Sequence, residues 1–175
     1  MNKNFYERER VKRNSGFTLI ELLVVISIIG FLATASMVVF NSVRIKARNA
    51  ARNRDMTQLM KAFRLASDNA GGTIPETSGA WVCVSASCSG AWSTVAANAT
   101  IDSFIAPYIK KPADPPDPTR GYGGYIVYNP TDYGRGSGTY INWLLERVTN
   151  VPGVCGPGFF WSETANYTEC LAKVE

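Results

Sequence analysis

Residues 17–40 read FTLIELLVVISIIGFLATASMVVF, an apolar run in which Glu21 is the sole charge. Coiled as a helix, the run is about 36 Å long and spans a hydrocarbon core of about 30 Å. Three roles compete for such a segment: a secretory signal, a plain membrane anchor, or a helix in which the carboxylate has work to do. A secretory signal has an apolar region of about 7–15 residues ending at a small-residue cleavage site; this run is longer and carries an acid near its start. A plain anchor explains the length but not Glu21, because a carboxylate in hydrocarbon costs several kcal/mol and marks a functional position by default. Depth alone does not decide the matter, since Glu21 lies close enough to the membrane edge to reach headgroup water.

The flanking residues separate these roles. NSGFTLIELLVVISIIG resembles the class III signal sequence of type IV prepilins and type II secretion pseudopilins: a basic leader ending in Gly16, an aromatic Phe17, and Glu21 four residues further on. The resemblance implies cleavage between Gly16 and Phe17 by a prepilin peptidase, N-methylation of Phe17, and Glu21 as the fifth mature residue. It also implies a subunit without cofactor or metal, held by the inner membrane as a single-pass precursor. An inner-membrane platform protein and an assembly ATPase would then move it into a homo-oligomeric helical filament on the cell surface. The chemistry agrees with this. Cleavage creates an α-amine at Phe17, and an opposite charge offsets the cost of a carboxylate in a low-dielectric setting. By the resemblance, Glu21 of an incoming subunit pairs with the Phe17 amine of a neighbour, so that the pair sets register. Charge counting does not orient the segment, since five Lys/Arg precede the run and five follow it closely. The later half of the run, where many pilins carry a proline, has none. Gly30, which costs about 1 kcal/mol relative to Ala in a helix, is the expected place for any extended segment in an assembled helix; an unbroken helix is the alternative.

From Asn41 the pattern changes. Met56, Leu59, Met60 and Phe63 recur at helical spacing, with Ala66 and Ala70 extending the face, until Asn69-Ala70-Gly71-Gly72 ends it. Residues 17–70 therefore read as one helix about 80 Å long, a membrane-spanning half followed by an amphipathic half. Charge is uneven: +3 in residues 1–16, +6 in 44–64 and −4 in 65–175, with Glu21 completing the net +4. A solvated or intersubunit face fits the basic stem better than a nucleic-acid stripe, because stacking aromatics are absent from it. More loosely, ARNAARNRDMTQLMKAFRLASDNAGGTIP and YIKKPADPPDP resemble the stem and Asp-Pro linker of the secretion-type major pseudopilin.

The expected fold is α+β, the long helix packed on a small antiparallel sheet in a disulfide-stabilised head. Its organisation is a cleaved leader (1–16), an assembly helix (17–40), a stem (41–70) and a head (71–175). Trp81–Val84 reads as a short strand and 101–108 as a short helix. Tyr125–Tyr128 and Thr139–Leu145 read as paired strands across a turn at 129–138. Cys83, Cys88, Cys155 and Cys170 all lie in the head. An even count beyond a membrane segment favours disulfides, and of the three possible pairings the most local, Cys83–Cys88 and Cys155–Cys170, is the parsimonious one. Phe159, Phe160, Trp161 and Tyr167 then sit in a C-terminal loop, packed on the sheet in preference to forming an adhesive patch.

Enzymatic readings find little support. The chain has no histidine, which removes Ser-His and Cys-His pairs and His-ligated metals. Asp114 and Asp117 sit in Pro-rich sequence typical of a linker. Asp132 is the sole acid between Gly121 and Thr139, too few for a calcium loop. The sequons at Asn98 and Asn166 are weak signals.

Overall fold

The computed structural model describes residues 16–90, 92–116, 121–147 and 154–174; most of the expected leader, together with Asp117 and Pro118, lies outside them. The chain divides into two compact units, residues 1–40 and 41–175. Helix α1 runs from Leu19 to Asn69 and passes through Gly30 without a break.

In the second unit, α1 presents Met56, Leu59, Met60, Phe63 and Ala66, all buried, at the i, i+3, i+4 spacing of one helical face. Asn69 ends the helix because the next turn needs left-handed backbone. Gly71 and Gly72 have φ of 77° and 87°, and the Gly72 N–H reaches back to Ser67 O at 2.9 Å, the long bond of a Schellman cap. Ala70, expected to extend the buried face, falls in that turn and is exposed.

Among the described residues seven strands and one further helix follow: β1 (Val82–Cys83), β2 (Ser89–Gly90), α2 (Ala99–Ile105), β3 (Tyr122–Gly123), β4 (Ile126–Thr131), β5 (Gly138–Glu146), β6 (Phe159–Glu163) and β7 (Tyr167–Lys173). Five of them form an antiparallel sheet in the order β1-β4-β5-β7-β6, while β2 and β3 pair separately. Alternation along β4, β5 and β7 aims Val127, Ile141, Trp143, Leu145, Cys170 and Ala172 into one core with the helix face; Ile101 and Ile105 of α2 join it. Each fully buried side chain of Leu or Ile size contributes about 1.5–3 kcal/mol. Trp143 adds a fixed point, since its indole N–H donates to Asn53 Oδ1 on the helix at 3.1 Å.

Two expectations change in detail. The turn expected at 129–138 begins later, because β4 continues to Thr131 across a register shift that accommodates Pro130, whose peptide bond to Asn129 is cis. A proline lacks the donor a regular ladder needs and is tolerated at such an irregularity. Asn129 pairs with Thr77 instead, through its backbone N–H and C=O, and its side-chain amide donates to Ile74 O. The expected helix 101–108 begins earlier and ends earlier. Asn98 caps it, its Oδ1 accepting from the N–H groups of Thr100 and Ile101, so this sequon asparagine has a structural task.

The larger change is at the C-terminus. The stretch expected to be a disulfide-bounded loop contains the hairpin β6–β7, and β7 lies inside the sheet, paired with β5 along seven residues. Its inward positions Thr168, Cys170 and Ala172 are small or polar, so the apolar alternation that betrays a strand is faint. The disulfides join Cys83 to Cys88 and Cys155 to Cys170. Because the second ties β7 to the chain entering the hairpin, replacing Cys155 and Cys170 with Ser is expected to lower unfolding free energy by about 3 kcal/mol, the loop-entropy value for a closure of this length. Urea titration followed by tryptophan fluorescence measures it.

Candidate assembly site

Residues Gly16, Phe17 and Thr18 precede the first helical turn, and the sequence T-L-I-E folds there as a capping box. Thr18 is the N-cap. Its backbone N–H donates to Glu21 Oε2 at 2.8 Å, its hydroxyl donates to the same oxygen at 2.7 Å, and the Glu21 N–H lies 3.4 Å from Thr18 Oγ1. The carboxylate is thereby held at the helix N-terminus, where the dipole favours negative charge. Both donors use Oε2; Oε1 accepts no hydrogen bond among the described residues. The T-x-x-E pattern is itself a sequence signal for this cap, masked by the stronger signal of a charge in an apolar run.

The rest of this unit is a bare apolar cylinder. Of twenty-one exposed large hydrophobic side chains among the described residues, fifteen fall between Phe17 and Phe40, far more contiguous apolar surface than a soluble monomer keeps uncovered. Its hydroxyls are turned inward: Ser27 donates to Leu23 O and Val24 O, Thr34 to Phe31 O, and Ser36 to Leu32 O. That arrangement satisfies each hydroxyl without water. Among the described residues α1 is the one helix long and apolar enough to cross a membrane, with a mean hydropathy of 2.6 over its most apolar stretch. A Cβ added at Gly30 would meet nothing within 4 Å.

The decisive comparison covers this segment. Residues 11–37 match the prokaryotic N-terminal methylation motif. This class III signal is consistent with the type IV pilin and pseudopilin family, and it brackets the Gly16–Phe17 junction and Glu21. The motif implies processing by prepilin peptidase and assembly in a pilus or secretion machine. Motif and apolar helix together fit a membrane-anchored precursor. No curated protein and no solved structure matched the chain.

A second arrangement, in the unit of residues 41–175, has no counterpart in the sequence pattern. Arg52 is fully buried, and its guanidinium bridges three parts of the chain: Nε to Asp114 Oδ1 at 2.7 Å, Nη1 to Glu146 Oε1 at 2.6 Å, and Nη2 to Pro115 O at 2.7 Å. Arg48 makes a forked pair with Glu146. Asn49 clamps the Glu146 backbone, its Nδ2 donating to the carbonyl at 2.8 Å and its Oδ1 accepting from the N–H at 2.9 Å. Asp114, expected to be a linker residue, also accepts from the Gly124 N–H at 2.8 Å. Part of the basic stem is thus spent on acidic side chains of its own head.

Next to this cluster, Tyr125 donates to Asp55 Oδ2 at 3.0 Å in a buried setting. Burial raises the Asp55 pKa above the ordinary value, with the Tyr125 hydrogen bond and Arg54 opposing it. A raised carboxyl pKa means the folded state holds the proton more tightly than the unfolded chain. Stability is therefore expected to fall as pH rises from about 4 through the folded pKa. Asp55→Asn keeps an acceptor for Tyr125 and removes the charge; it is expected to flatten that part of the profile and raise the melting temperature at neutral pH, as thermal scans across pH would show.

The remaining sequence candidates are mostly structural in their surroundings. Phe159 lies under the Arg135 guanidinium at 4.1 Å, Trp161 packs edge-on to Tyr133, and Tyr167 edge-on to Tyr122; Phe160 and Trp161 are exposed. Asp132 closes a turn by accepting from the Gly134 N–H. Among the described residues no group of three or more His, Cys, Asp or Glu side chains is placed to hold a metal ion.

Proposed function

We propose that this chain is a structural subunit of a type IV pilus, cut between Gly16 and Phe17, methylated at Phe17, and packed into a helical filament through residues 17–40. The observation that carries the reading is the single carboxylate at the capped start of an otherwise apolar, uncovered helix, four residues beyond the expected cut. A new amine there gives Glu21 its counter-charge, and the apolar cylinder is the surface that neighbouring copies would cover. A pilus is favoured over a secretion pseudopilus by the doubly disulfide-bonded head and by the tasks already given to its acids, Asp114 on Arg52 and Asp132 in a turn. Adhesion, motility and DNA uptake are the uses such a filament would serve.

Filaments sheared from producing cells and analysed by intact mass spectrometry test this. The expected product begins at Phe17, carries one added methyl group and retains both disulfides. A mature N-terminus at any other residue overturns the reading. Surface filaments absent from cells whose protein secretion depends on the chain would replace the pilus with a pseudopilus.

A further inference from the structure

The sheet has a second face. Trp143 and Cys170 point toward the helix, so their neighbours Asn142 and Glu169 point the other way. There they line a cavity of about 230 Å³ walled by Trp81, Trp92, Tyr133 and Trp161. The rings brace one another: Tyr133 meets Trp161 edge-on at 5.0 Å between centroids and lies 6.0 Å from Trp81. Three indoles and a phenol surrounding a cleft below the ~300–1,000 Å³ of drug-sized sites suit a single small ring.

Beside the rings the cleft is lined by Asn142 and a single acid, Glu169. Glu169 Oε1 accepts from Asn142 Nδ2 at 2.6 Å, and Oε2 accepts from Ser162 Oγ at 2.5 Å. Neutral donors thus fix the carboxylate, and it makes no ion pair among the described residues; Arg135, also beyond the sheet, is stacked on Phe159. Asn142 is 3% exposed, and its Oδ1 has no hydrogen-bond partner among the described residues. Buried acceptors of this sort are normally satisfied. The cleft therefore offers a carboxylate without a counter-ion among the described residues, and aromatic faces whose quadrupoles attract cations. Among the described residues no Lys or Arg lines it.

We propose that this cleft binds an amino sugar: a hexosamine ring with a free, protonated amine. The C–H face of the ring lies against the indoles, the ammonium donates to the Glu169 carboxylate, and charge complementarity selects the free amine over its acetylated form. The flat walls favour a ring over the thin stem of a lysine side chain, which would offer the same ammonium.

The test uses the full-length protein in a detergent free of sugar and amine headgroups, at about pH 6 so that the amine is protonated. Tryptophan fluorescence is titrated with glucosamine, N-acetylglucosamine and n-butylammonium. The expected result is saturable binding of glucosamine, about tenfold weaker binding of the other two, and about tenfold loss of glucosamine affinity in Glu169→Gln. N-acetylglucosamine binding as tightly as glucosamine overturns the proposal by showing that charge is not read. Butylammonium binding as tightly overturns the sugar as occupant. No saturable response to any probe in the wild-type protein leaves a water-filled cleft and also overturns it. Because the three probes are compared on the wild-type chain, the outcome does not depend on the variant folding.

Discussion

Glu21→Val is expected to leave peptidase cleavage intact while abolishing filament growth. The substitution removes the only charge from residues 17–40 and makes the segment a better membrane helix, so membrane insertion of the precursor is preserved. Under the proposed cut, what it removes is the counter-charge of the new amine at Phe17. Leaving one member of a buried pair alone costs about 3–5 kcal/mol, which weakens each subunit addition by roughly 100-fold or more. Immunoblots of sheared and whole-cell fractions should show processed protein retained in cells and none in filaments. Filaments of normal length from the variant would remove the charge pair from the assembly reaction. The capping box supplies a milder companion. In Thr18→Val the carboxylate keeps its bond from the backbone N–H of residue 18 but loses the hydroxyl donor, and the Glu21 N–H loses its Oγ1 acceptor, at a cost of about 1 kcal/mol. Filament yield should fall partially, because the more loosely held carboxylate can still reach an amine.

The contrast between a local pair and a dispersed one also separates what the sequence discloses from what it hides. The long helix, its two halves and its stopping point follow from hydropathy, the spacing of Met56, Leu59, Met60 and Phe63, and the glycine pair at 71–72. Strands β4 and β5 announce themselves through β-branched and aromatic alternation. β7 does not, since its inward positions include Thr168 and Cys170, and its place in the sheet depends on pairing with β5 far earlier in the chain. The residues expected to serve assembly lie close together in the sequence, so that expectation needs local spacing alone. The Arg52 cluster is illegible for the opposite reason: Asp114 and Glu146 lie 62 and 94 residues from Arg52, and only the completed fold brings them together. Composition holds one hint, the basic stem beside an acidic head, without saying which charges meet.

Those charges give the second large effect. Arg52→Ala is expected to destabilise the unit of residues 41–175 by about 3–5 kcal/mol, because Asp114 and Glu146 stay buried and lose their shared cation. Arg48 still neutralises Glu146 in part, but the bond from Arg52 Nη2 to Pro115 O is lost outright. Arg52→Lys should recover little of the loss. One ammonium cannot reach Asp114, Glu146, Asn49 and Pro115 at once, whereas the planar guanidinium serves all four. Arg52→Met with Asp114→Asn and Glu146→Gln should be less destabilising than Arg52→Ala alone, since it leaves only the partly exposed Arg48 without its acid, whereas Arg52→Ala takes the guanidinium from two buried carboxylates. Urea unfolding of the four proteins, read by tryptophan fluorescence, orders them. If Arg52→Lys matched the wild type, a single positive charge would suffice and the forked geometry would be incidental. If instead the order is wild type, triple variant, Lys, Ala, then the cluster acts as a geometric lock between α1, the segment at Asp114–Pro115 and the end of β5.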